Sequence, residues 1–289
     1  MGNCFCTKSQ LLATTTTNIQ RDAQAQTPTA DANNPTSLVE LDKDGDYDEE
    51  GVKAALQKGA VVNTKEYKYG CTGLMWAVIN NHNSLVALLL INSPNIDVNL
   101  KNEDGMCVLL EAVKCKNNEA LKLLLNVPNI NVNIVDKSGK SGMHRALDHK
   151  NSEALKLLID FPNIDVNIVN NNGWSALHYA LIKNNIEGFK LLLNVPKIDV
   201  NIVDINGWSL VHCALAETNN EALKLLLDVP NIDLNIVDNN GWSGVHQAVI
   251  KDNIRALKLM LSHRSLTDVT LNPKDNAGAT PGMQCGYPH

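Results

Sequence analysis

The sequence has no cluster of Lys or Arg residues, no long run of apolar residues and no regular spacing of cysteines. The formal net charge is −6, so no basic stripe is present to follow a phosphate backbone, and nucleic acid is not expected as a partner. No apolar run approaches the roughly 20 residues that span a bilayer. The odd count of 7 Cys favours reduced thiols in a cytosolic setting, since secreted disulfide frameworks usually show paired cysteines.

Signatures of catalysis and of cofactor binding are also missing. Outside its repeats the sequence has no Gly-rich phosphate loop, no metal-ligand spacing and no nucleophile–base pair, so we expect no enzyme activity, no cofactor and no small-molecule substrate. Asp42, Asp44 and Asp46 do occupy the first, third and fifth places of a calcium-binding loop. Tyr47 and Lys53 then stand where that loop needs Gly and a bidentate Glu, so a calcium site is not expected.

What the sequence does have is a stretch that repeats itself. The Gly-Trp-Ser beginning at Gly173 recurs at Gly207 and at Gly241, each 34 residues on, and a weaker Gly-x-Ser lies 34 residues earlier at Gly139. A fixed period between about 20 and 50 residues marks an array of supersecondary units. Each unit buries its apolar face only against its neighbours.

Each unit is predicted to be a helical hairpin followed by a turn. Asn184 and Asn185 separate two short helices, the first ended and the second capped by Asn. Pro196 ends the second helix, after which the chain is expected to run extended into a tight turn at Gly207. Apolar residues recur at positions i, i+3 and i+4 of both helices: Leu177, Ala180 and Leu181, then Phe189, Leu192 and Leu193.

The motif Gly-Trp-Ser-Ala-Leu-His-x-Ala, the Leu-Leu-Leu helix and the following Asp-Val-Asn resemble the ankyrin repeat of animal-type arrays. Two features depart from that family's pattern: Ser-Ala replaces Thr-Pro, and Val-Pro-Lys-Ile replaces Gly-Ala and lengthens the loop by one residue. Both departures lie at loop or first-turn positions that tolerate change. The resemblance implies an all-α ankyrin-repeat solenoid, with a helix-turn-helix and a protruding β-turn or hairpin loop in each repeat.

The resemblance covers most of the chain and divides it. We predict a disordered tail at 1–35 and an ankyrin-repeat domain at 36–289. Within that domain we expect a degenerate N-terminal cap repeat, then full repeats, then a truncated repeat, with boundaries at 36–66, 67–102, 103–136, 137–170, 171–204, 205–238, 239–275 and 276–289. The truncated repeat only half covers its neighbour, so either the cap is poor or the sequence is a fragment of a longer protein.

Columns of polar residues receive structural roles. By resemblance, the His of each repeat hydrogen-bonds the neighbouring turn and the Asn of Asp-Val-Asn bonds the inter-repeat hairpin. The Ser three residues before the His stands at a helix start, which is a capping position. Stacked helices lie about 8 to 10 Å apart, too far for successive His to share a zinc ion. These residues are His144, His178, His212 and His246; Asn99, Asn133, Asn167, Asn201 and Asn235; and Ser175, Ser209 and Ser243. A column of Lys is expected to be solvated: Lys122, Lys156, Lys190, Lys224 and Lys258.

The candidate partner-binding residues follow each turn. By resemblance, the Trp after the turn Gly lies on the concave face, with one residue of the first helix beside it, in the set Trp174, Tyr179, Trp208, Cys213, Trp242 and Gln247. Trp is enriched among residues that dominate binding energy, so this ladder is a candidate binding strip. Cys71, Met106 and Lys140 fill the same place earlier in the chain, which puts the strip in the C-terminal half. The alternative is that the Trp residues stack between neighbouring repeats.

The N-terminus resembles that of dually acylated proteins. Gly2 follows the initiator Met, and Cys4 and Cys6 lie where palmitoylation would supply a second anchor. Cys6 occupies the place where the myristoylation pattern has Ser or Thr, with Thr7 one residue late, so an unmodified N-terminus is the alternative. A single myristoyl chain binds membrane only marginally, and stable anchoring needs two signals.

Together these features predict a noncatalytic protein-interaction scaffold in the cytoplasm, peripheral to a membrane through its acyl chains. A soluble inhibitor or masking protein would use the same surface. A longer protein with an enzymatic or signalling domain outside this chain is the third alternative. An ankyrin array determines the mode of binding but not the target, because function depends on its exposed variable residues.

Overall fold

The computed structural model describes residues 47–65, 68–263 and 274–284. Throughout these ranges the chain forms short helices, and its only β pairing consists of isolated bridges such as Val169 with Ser175. The elements are α1 (Glu49–Gln57), a 3-10 turn (Lys68–Gly70), α2 (Gly73–Ile79), α3 (Asn83–Asn92), α4 (Val108–Lys114), α5 (Asn118–Leu125), α6 (Gly142–Asp148), α7 (Ser152–Ile159), α8 (Ala176–Ile182), α9 (Ile186–Leu193), α10 (Leu210–Ala216), α11 (Asn220–Leu227), α12 (Gly244–Ile250), α13 (Ile254–Leu261) and α14 (Pro281–Gln284).

Consecutive helices pair as hairpins, and the hairpins stack in a row. Within each hairpin the first helix packs on the second, as α8 does on α9. Between hairpins the first helices pack on one another, as α6, α8 and α10 do, and the second helices pack likewise. The predicted all-α ankyrin-repeat solenoid is therefore confirmed.

The hairpin turn follows from its two Asn residues, as the sequence predicted. Asn184 adopts a left-handed φ of 52°, which ends α8. The side chain of Asn185 accepts the backbone N–H of Gly188 at 2.9 Å and caps α9. Asn caps the second helix in the same way in four other repeats, at Asn117, Asn151, Asn219 and Asn253.

The core lies between the two layers of helices. Leu177, Ala180 and Leu181 of α8 are buried against Phe189 and Leu192 of α9. Leu193 is only half-buried, because it lies at the edge of this face. The Lys column on the second helices is exposed at every repeat, as expected.

The segment after each second helix was expected to run extended, and that expectation is wrong. Residues 200 and 201 form a turn, because the carboxylate of Asp199 accepts the backbone N–H of Asn201 at 2.8 Å. The neighbouring repeats have equivalent turns, formed by Asp97, Asn131, Asp165 and Asp233.

Successive β-turns approach each other closely at their glycines. Gly173 has a φ of +75°, and a Cβ atom placed on it would lie 2.8 Å from the backbone nitrogen of Ile205. That backbone N–H donates to the carbonyl of Asn172 at 3.2 Å, so neighbouring turns are directly bonded. Gly is required here by both its φ and the space around it.

The two ends of the array are described in part. In the cap repeat, Val52 of α1 is buried, while Ala55 and Leu56 are half-buried. At the other end, α14 begins the truncated repeat. The candidate lipidation residues Gly2, Cys4 and Cys6, the Asp42, Asp44 and Asp46 carboxylates, and the rest of the predicted tail lie outside the described residues.

Candidate partner-binding surface

The His column joins neighbouring repeats. His178 is fully buried, with its Nδ1 atom 2.9 Å from the Oγ of Ser175 and its Nε2 atom 3.3 Å from the carbonyl of Trp208. A carbonyl only accepts hydrogen bonds, so Nε2 carries the proton and Nδ1 accepts the Ser175 backbone N–H. His144 bonds the carbonyl of Trp174 at 2.8 Å, and His212 bonds that of Trp242 at 2.9 Å. The predicted structural role of the His is confirmed for these three.

Burial keeps these imidazoles neutral. Burial lowers the pKa of both His144 and His178 to about 4, in spite of the carbonyl that each one faces. The Ser–His pairs are reciprocal capping boxes at the starts of α6, α8, α10 and α12, so the hydroxyl and imidazole of each pair are used in a helix start, as predicted.

The Asn of Asp-Val-Asn bonds the next repeat, also as predicted. Asn167 donates to the carbonyl of Lys197 at 2.9 Å and accepts the backbone N–H of Asp199 at 2.9 Å. Asn99, Asn133 and Asn201 make equivalent pairs of bonds. The sequence analysis missed Asn63, which extends this column into the cap repeat through the carbonyl of Asn95 at 2.9 Å.

The six candidate partner-binding residues do not form the exposed ladder that the sequence suggested. The side chain of Trp174 is only 7% exposed, and Tyr179, Cys213 and Gln247 are buried as well. Trp208 and Trp242 are half-buried and keep part of their rings at the surface. A partner-binding role for these residues stays a prediction, and the surface available to it belongs mainly to Trp208 and Trp242.

The indole of Trp174 faces the following turn. Its Nε1–H donates to the Oδ2 atom of Asp204 at 3.3 Å, and its ring meets Tyr179 edge-on with centroids 6.1 Å apart. The alternative interpretation, inter-repeat packing, therefore describes Trp174, although the link is a hydrogen bond to an aspartate and not ring stacking.

Trp208 and Trp242 differ from each other. Trp242 repeats the pattern of Trp174 by donating to Asp275 at 3.1 Å. Trp208 instead lies over its own His212, with ring centroids 6.4 Å apart and planes 29° apart. Its indole N–H has no acceptor within the described residues, so Trp208 offers both ring surface and a donor.

A column of exposed aliphatic residues accompanies these turns, and the sequence analysis missed it. Exposures of 41% to 64% are found for Val169, Val203, Ile205 and Val237, which we call the hairpin stripe. Val203 pairs with Ser209 in the bridge that closes its turn, beside Trp208. The signal was available, because the valines recur at the 34-residue period where Lys101 stands in an earlier repeat.

A group of charges lies next to Trp174. The Nζ atom of Lys140 is 2.8 Å from one carboxylate oxygen of Asp148, and that of Lys183 is 3.2 Å from the other. Both ammonium groups lie over the ring of Tyr179, at 5.1 and 5.8 Å from its centroid. We call Lys140, Asp148, Tyr179 and Lys183 the lysine cluster; the sequence analysis had noted only Lys140 and Tyr179.

Metal-binding groups and membrane-spanning helices were also sought in the described residues. Across the described ranges, no group of three or more His, Cys, Asp and Glu side chains is placed to hold a metal ion. No described helix is both long and apolar enough to cross a membrane.

Comparison with known proteins leads to the same architecture. A family model described as ankyrin repeats (3 copies) matches residues 39–136, 109–204 and 196–275. The chain belongs to the ankyrin repeat family. Ankyrin repeats generally mediate protein–protein interactions, and the fold is typically a noncatalytic module. A search of curated proteins finds no match.

Solved structures are similar over most of the chain. The ankyrin repeat domain of Bcl-3, a member of the IkappaB protein family, is 25% identical with a TM-score of 0.66, covering 75% of this chain and 94% of that one. The ankyrin repeat protein EF0377 is 23% identical with a TM-score of 0.61, covering 68% of this chain and 100% of its own. An ankyrin repeat domain from Acinetobacter baumannii AYE is 22% identical with a TM-score of 0.58, covering 65% of this chain and 95% of its own.

Proposed function

We propose that this protein is a noncatalytic interaction scaffold that binds a protein partner through the turns of its C-terminal repeats. The observation that carries the proposal is the hairpin stripe together with Trp208. Aliphatic side chains exposed in a row beside a half-buried Trp form the kind of apolar patch that marks protein-binding sites. A Trp with free ring surface and a free donor is also a typical binding hot spot.

Affinity purification with mass spectrometry tests this proposal. The tagged chain is compared with Trp208→Ala and with Val203→Asp, and Lys122→Gln on the exposed second-helix face serves as the control. We expect at least one captured protein to be lost with both surface variants and kept with the control. Circular dichroism and a melting curve for each variant show that the fold is intact. A partner that every variant retains would contradict the proposed surface.

The scaffold is further proposed to be held at the cytoplasmic face of a membrane. Support for this comes from Gly2, Cys4 and Cys6, which together could provide the two acyl signals that stable anchoring requires. Fractionation of a C-terminally tagged chain tests the tether. We expect membrane association that is lost in Gly2→Ala and in the Cys4→Ser, Cys6→Ser double variant.

The fractionation also separates the alternatives. If the unaltered chain were entirely in the soluble fraction, the tether would be wrong and a soluble inhibitor or masking protein would become the better account. Partner capture would be unaffected by that result, because it depends on the repeats and not on the tail.

A further inference from the structure

The lysine cluster has an excess of positive charge at a half-buried position. Lys140 and Lys183 share the single carboxylate of Asp148, and their side chains are 21% and 25% exposed. The nearby guanidinium of Arg145 does not depend on this carboxylate, because it pairs with the buried Asp136. Among the described residues that form these pairs, three cations thus face two carboxylates, so the group carries one positive charge in excess.

The two ammonium groups are held in place and still have donors to offer. An ammonium group has three N–H donors, and Lys140 and Lys183 each use one on Asp148. The ring of Tyr179 attracts both cations through its face, which limits the positions that their flexible side chains can adopt. An incoming anion would therefore meet ammonium groups that are already ordered and partly desolvated.

The electrostatics of Asp148 agree with an excess of cations. Burial by itself would raise the pKa of this carboxyl, but Lys140 and Lys183 outweigh burial and lower the pKa below its usual value. Asp148 therefore stays ionised at neutral pH, and even its full negative charge does not balance the two ammonium groups.

The cluster occurs at one place in the array. At the equivalent positions one repeat later stand Trp174, Ile182 and Glu217 in place of Lys140, Asp148 and Lys183. A cluster that served only to hold repeats together would be expected to recur with the core, as the Asn column does. The lysine cluster occurs only beside Trp174, next to the end of the hairpin stripe that begins at Val169.

Trp174 connects the cluster to the hairpin stripe. Its ring contacts Tyr179 of the cluster, and it directly precedes Ser175, which pairs with Val169 of the stripe. Neighbouring stacked helices lie about 10 Å apart, close to the rise of roughly three residues of chain in the polyproline II conformation. A segment in this conformation has three residues per turn, so it would present one side chain in three to successive repeats.

We propose that the protein partner binds through a segment with an acidic side chain placed on Lys140 and Lys183 and aliphatic side chains, at intervals of about three residues, on the hairpin stripe. This proposal rests on the proposed function and specifies the chemistry of its partner. The match is one of charge and polarity: excess cation at one end and an uncharged aliphatic row at the other.

Selection of short random peptides displayed on yeast, against the whole chain, tests the proposal. We expect the selected peptides to contain Asp or Glu beside aliphatic residues. Binding of one synthesised peptide is then measured for the chain with Lys140→Gln and Lys183→Gln. We expect an affinity about tenfold lower than for the unaltered chain, and a loss of the salt dependence that the unaltered chain shows.

A matched control removes the same charge elsewhere. Lys122→Gln with Lys190→Gln eliminates two exposed lysines that each pair with a Glu of the next repeat at 2.8 Å, and we expect the peptide affinity to stay unchanged. If Lys140 and Lys183 only stabilise the fold, exchanging the charges between the chain and the peptide will not restore binding. The proposal expects Lys183→Glu to bind a peptide whose acidic residue is replaced by Lys better than it binds the original peptide.

The other outcomes separate this proposal from the function on which it rests. Aliphatic peptides without acidic residues, lost in Val203→Asp but kept in the double Lys variant, would overturn the acidic segment and leave the proposed function intact. Peptides that need neither surface, or no selected peptide at all, would contradict both. Binding of a Gly2→Ala chain to phosphatidylserine vesicles through the same lysines would assign the cluster to lipid and overturn the proposal.

Discussion

The N-terminal and C-terminal halves of the array share a core and differ on their turns. After the turn glycine, the early repeats have Cys71 and Met106, both buried, whereas the late repeats have Trp208 and Trp242 with rings partly at the surface. The Leu positions of the helices hardly change between the halves. The comparison teaches that the repeated residues specify the solenoid and that the residues which break the repeat indicate where a partner binds.

The halves also differ in their buried titratable groups. Met75 and Leu110 stand where the later repeats have His144 and its equivalents, so the His column is absent from the early repeats. The early half instead buries Glu111, whose pKa is raised by burial. The later half lowers the pKa of its histidines for the same reason. Glu111 and the histidines therefore contribute to the pH dependence of stability with opposite signs.

The largest expected effect concerns Trp174, because it is the residue of the Trp column whose side chain is buried. Trp174→Ala removes a buried indole and one of the donors to the Asp204 carboxylate, so we expect a loss of about 4 kcal/mol in the free energy of unfolding. Trp208→Ala removes a half-exposed ring and should cost about 2 kcal/mol. Chemical denaturation of both variants measures the difference. Equal losses in the two variants would mean that Trp174 and Trp208 have the same structural role.

Turn spacing gives the next largest effect. A Cβ on Gly173 would lie 2.8 Å from the backbone of the next turn at a φ of +75°, so Gly173→Ala is expected to cost about 3 kcal/mol. In the early half, Gly70 has a similar φ of +68°, but the nearest neighbour of a Cβ placed there is a flexible Glu103 side-chain atom at 3.2 Å. We expect Gly70→Ala to cost only about 1 kcal/mol. A larger loss for Gly70→Ala in denaturant titrations would contradict this comparison.

Acid is expected to unfold the late half first. The pKa of His178 is about 4 in the folded chain and about 6.5 in the unfolded chain, so the unfolded state binds the proton more readily. This contribution to stability is present above pH 6.5 and decreases as the pH falls toward 4, by about 2 kcal/mol at pH 5. Glu111 contributes to stability with the opposite sign. Its pKa is raised in the folded chain, so the folded state binds the proton more readily and gains stability as the pH falls.

Hydrogen–deuterium exchange at pH 7 and at pH 5 measures this difference. Amides of α8 and α10 should lose protection at pH 5, while those of α2 and α4 should change less. His178→Gln provides the control, since Gln cannot take up a proton in this range. Uniform loss of protection across both halves would show that the His column does not determine acid sensitivity.

The smallest expected effect is at the hairpin turns. Thr218 has a φ of 52°, a left-handed conformation that is costly for a β-branched residue. Thr218→Asn should therefore stabilise the array by about 1 kcal/mol. Lys116 occupies the same place in the early half at a φ of 59°, and Lys116→Asn should stabilise it less, because Lys is unbranched at Cβ. Thermal melts of the two variants test the order.

Much of the fold could be predicted from the sequence, because it depends on residues that repeat. The 34-residue period, the i, i+3 and i+4 apolar pattern and the capping Asn185 all state a local rule that the structure follows. The turn at Asn201 could not be distinguished from an extended segment, since it depends on a hydrogen bond from its own backbone to the side chain of Asp199.

The candidate surface was harder to predict than the fold. The burial of Trp174 depends on Asp204, which lies 30 residues on in the chain, so no local pattern around Trp174 shows it. The lysine cluster has the same character, because Lys140, Asp148 and Lys183 come from two successive repeats and occur together once. Periodicity finds what recurs, and the lysine cluster does not recur.

The most direct measurement of the central claim is hydrogen–deuterium exchange of the purified chain with and without its captured partner. The account predicts that the partner increases protection in the turns at 203–209 and 237–243 and leaves the exposed face of the second helices unchanged. Protection confined to the second helices, with turns that exchange equally in both samples, would contradict the account.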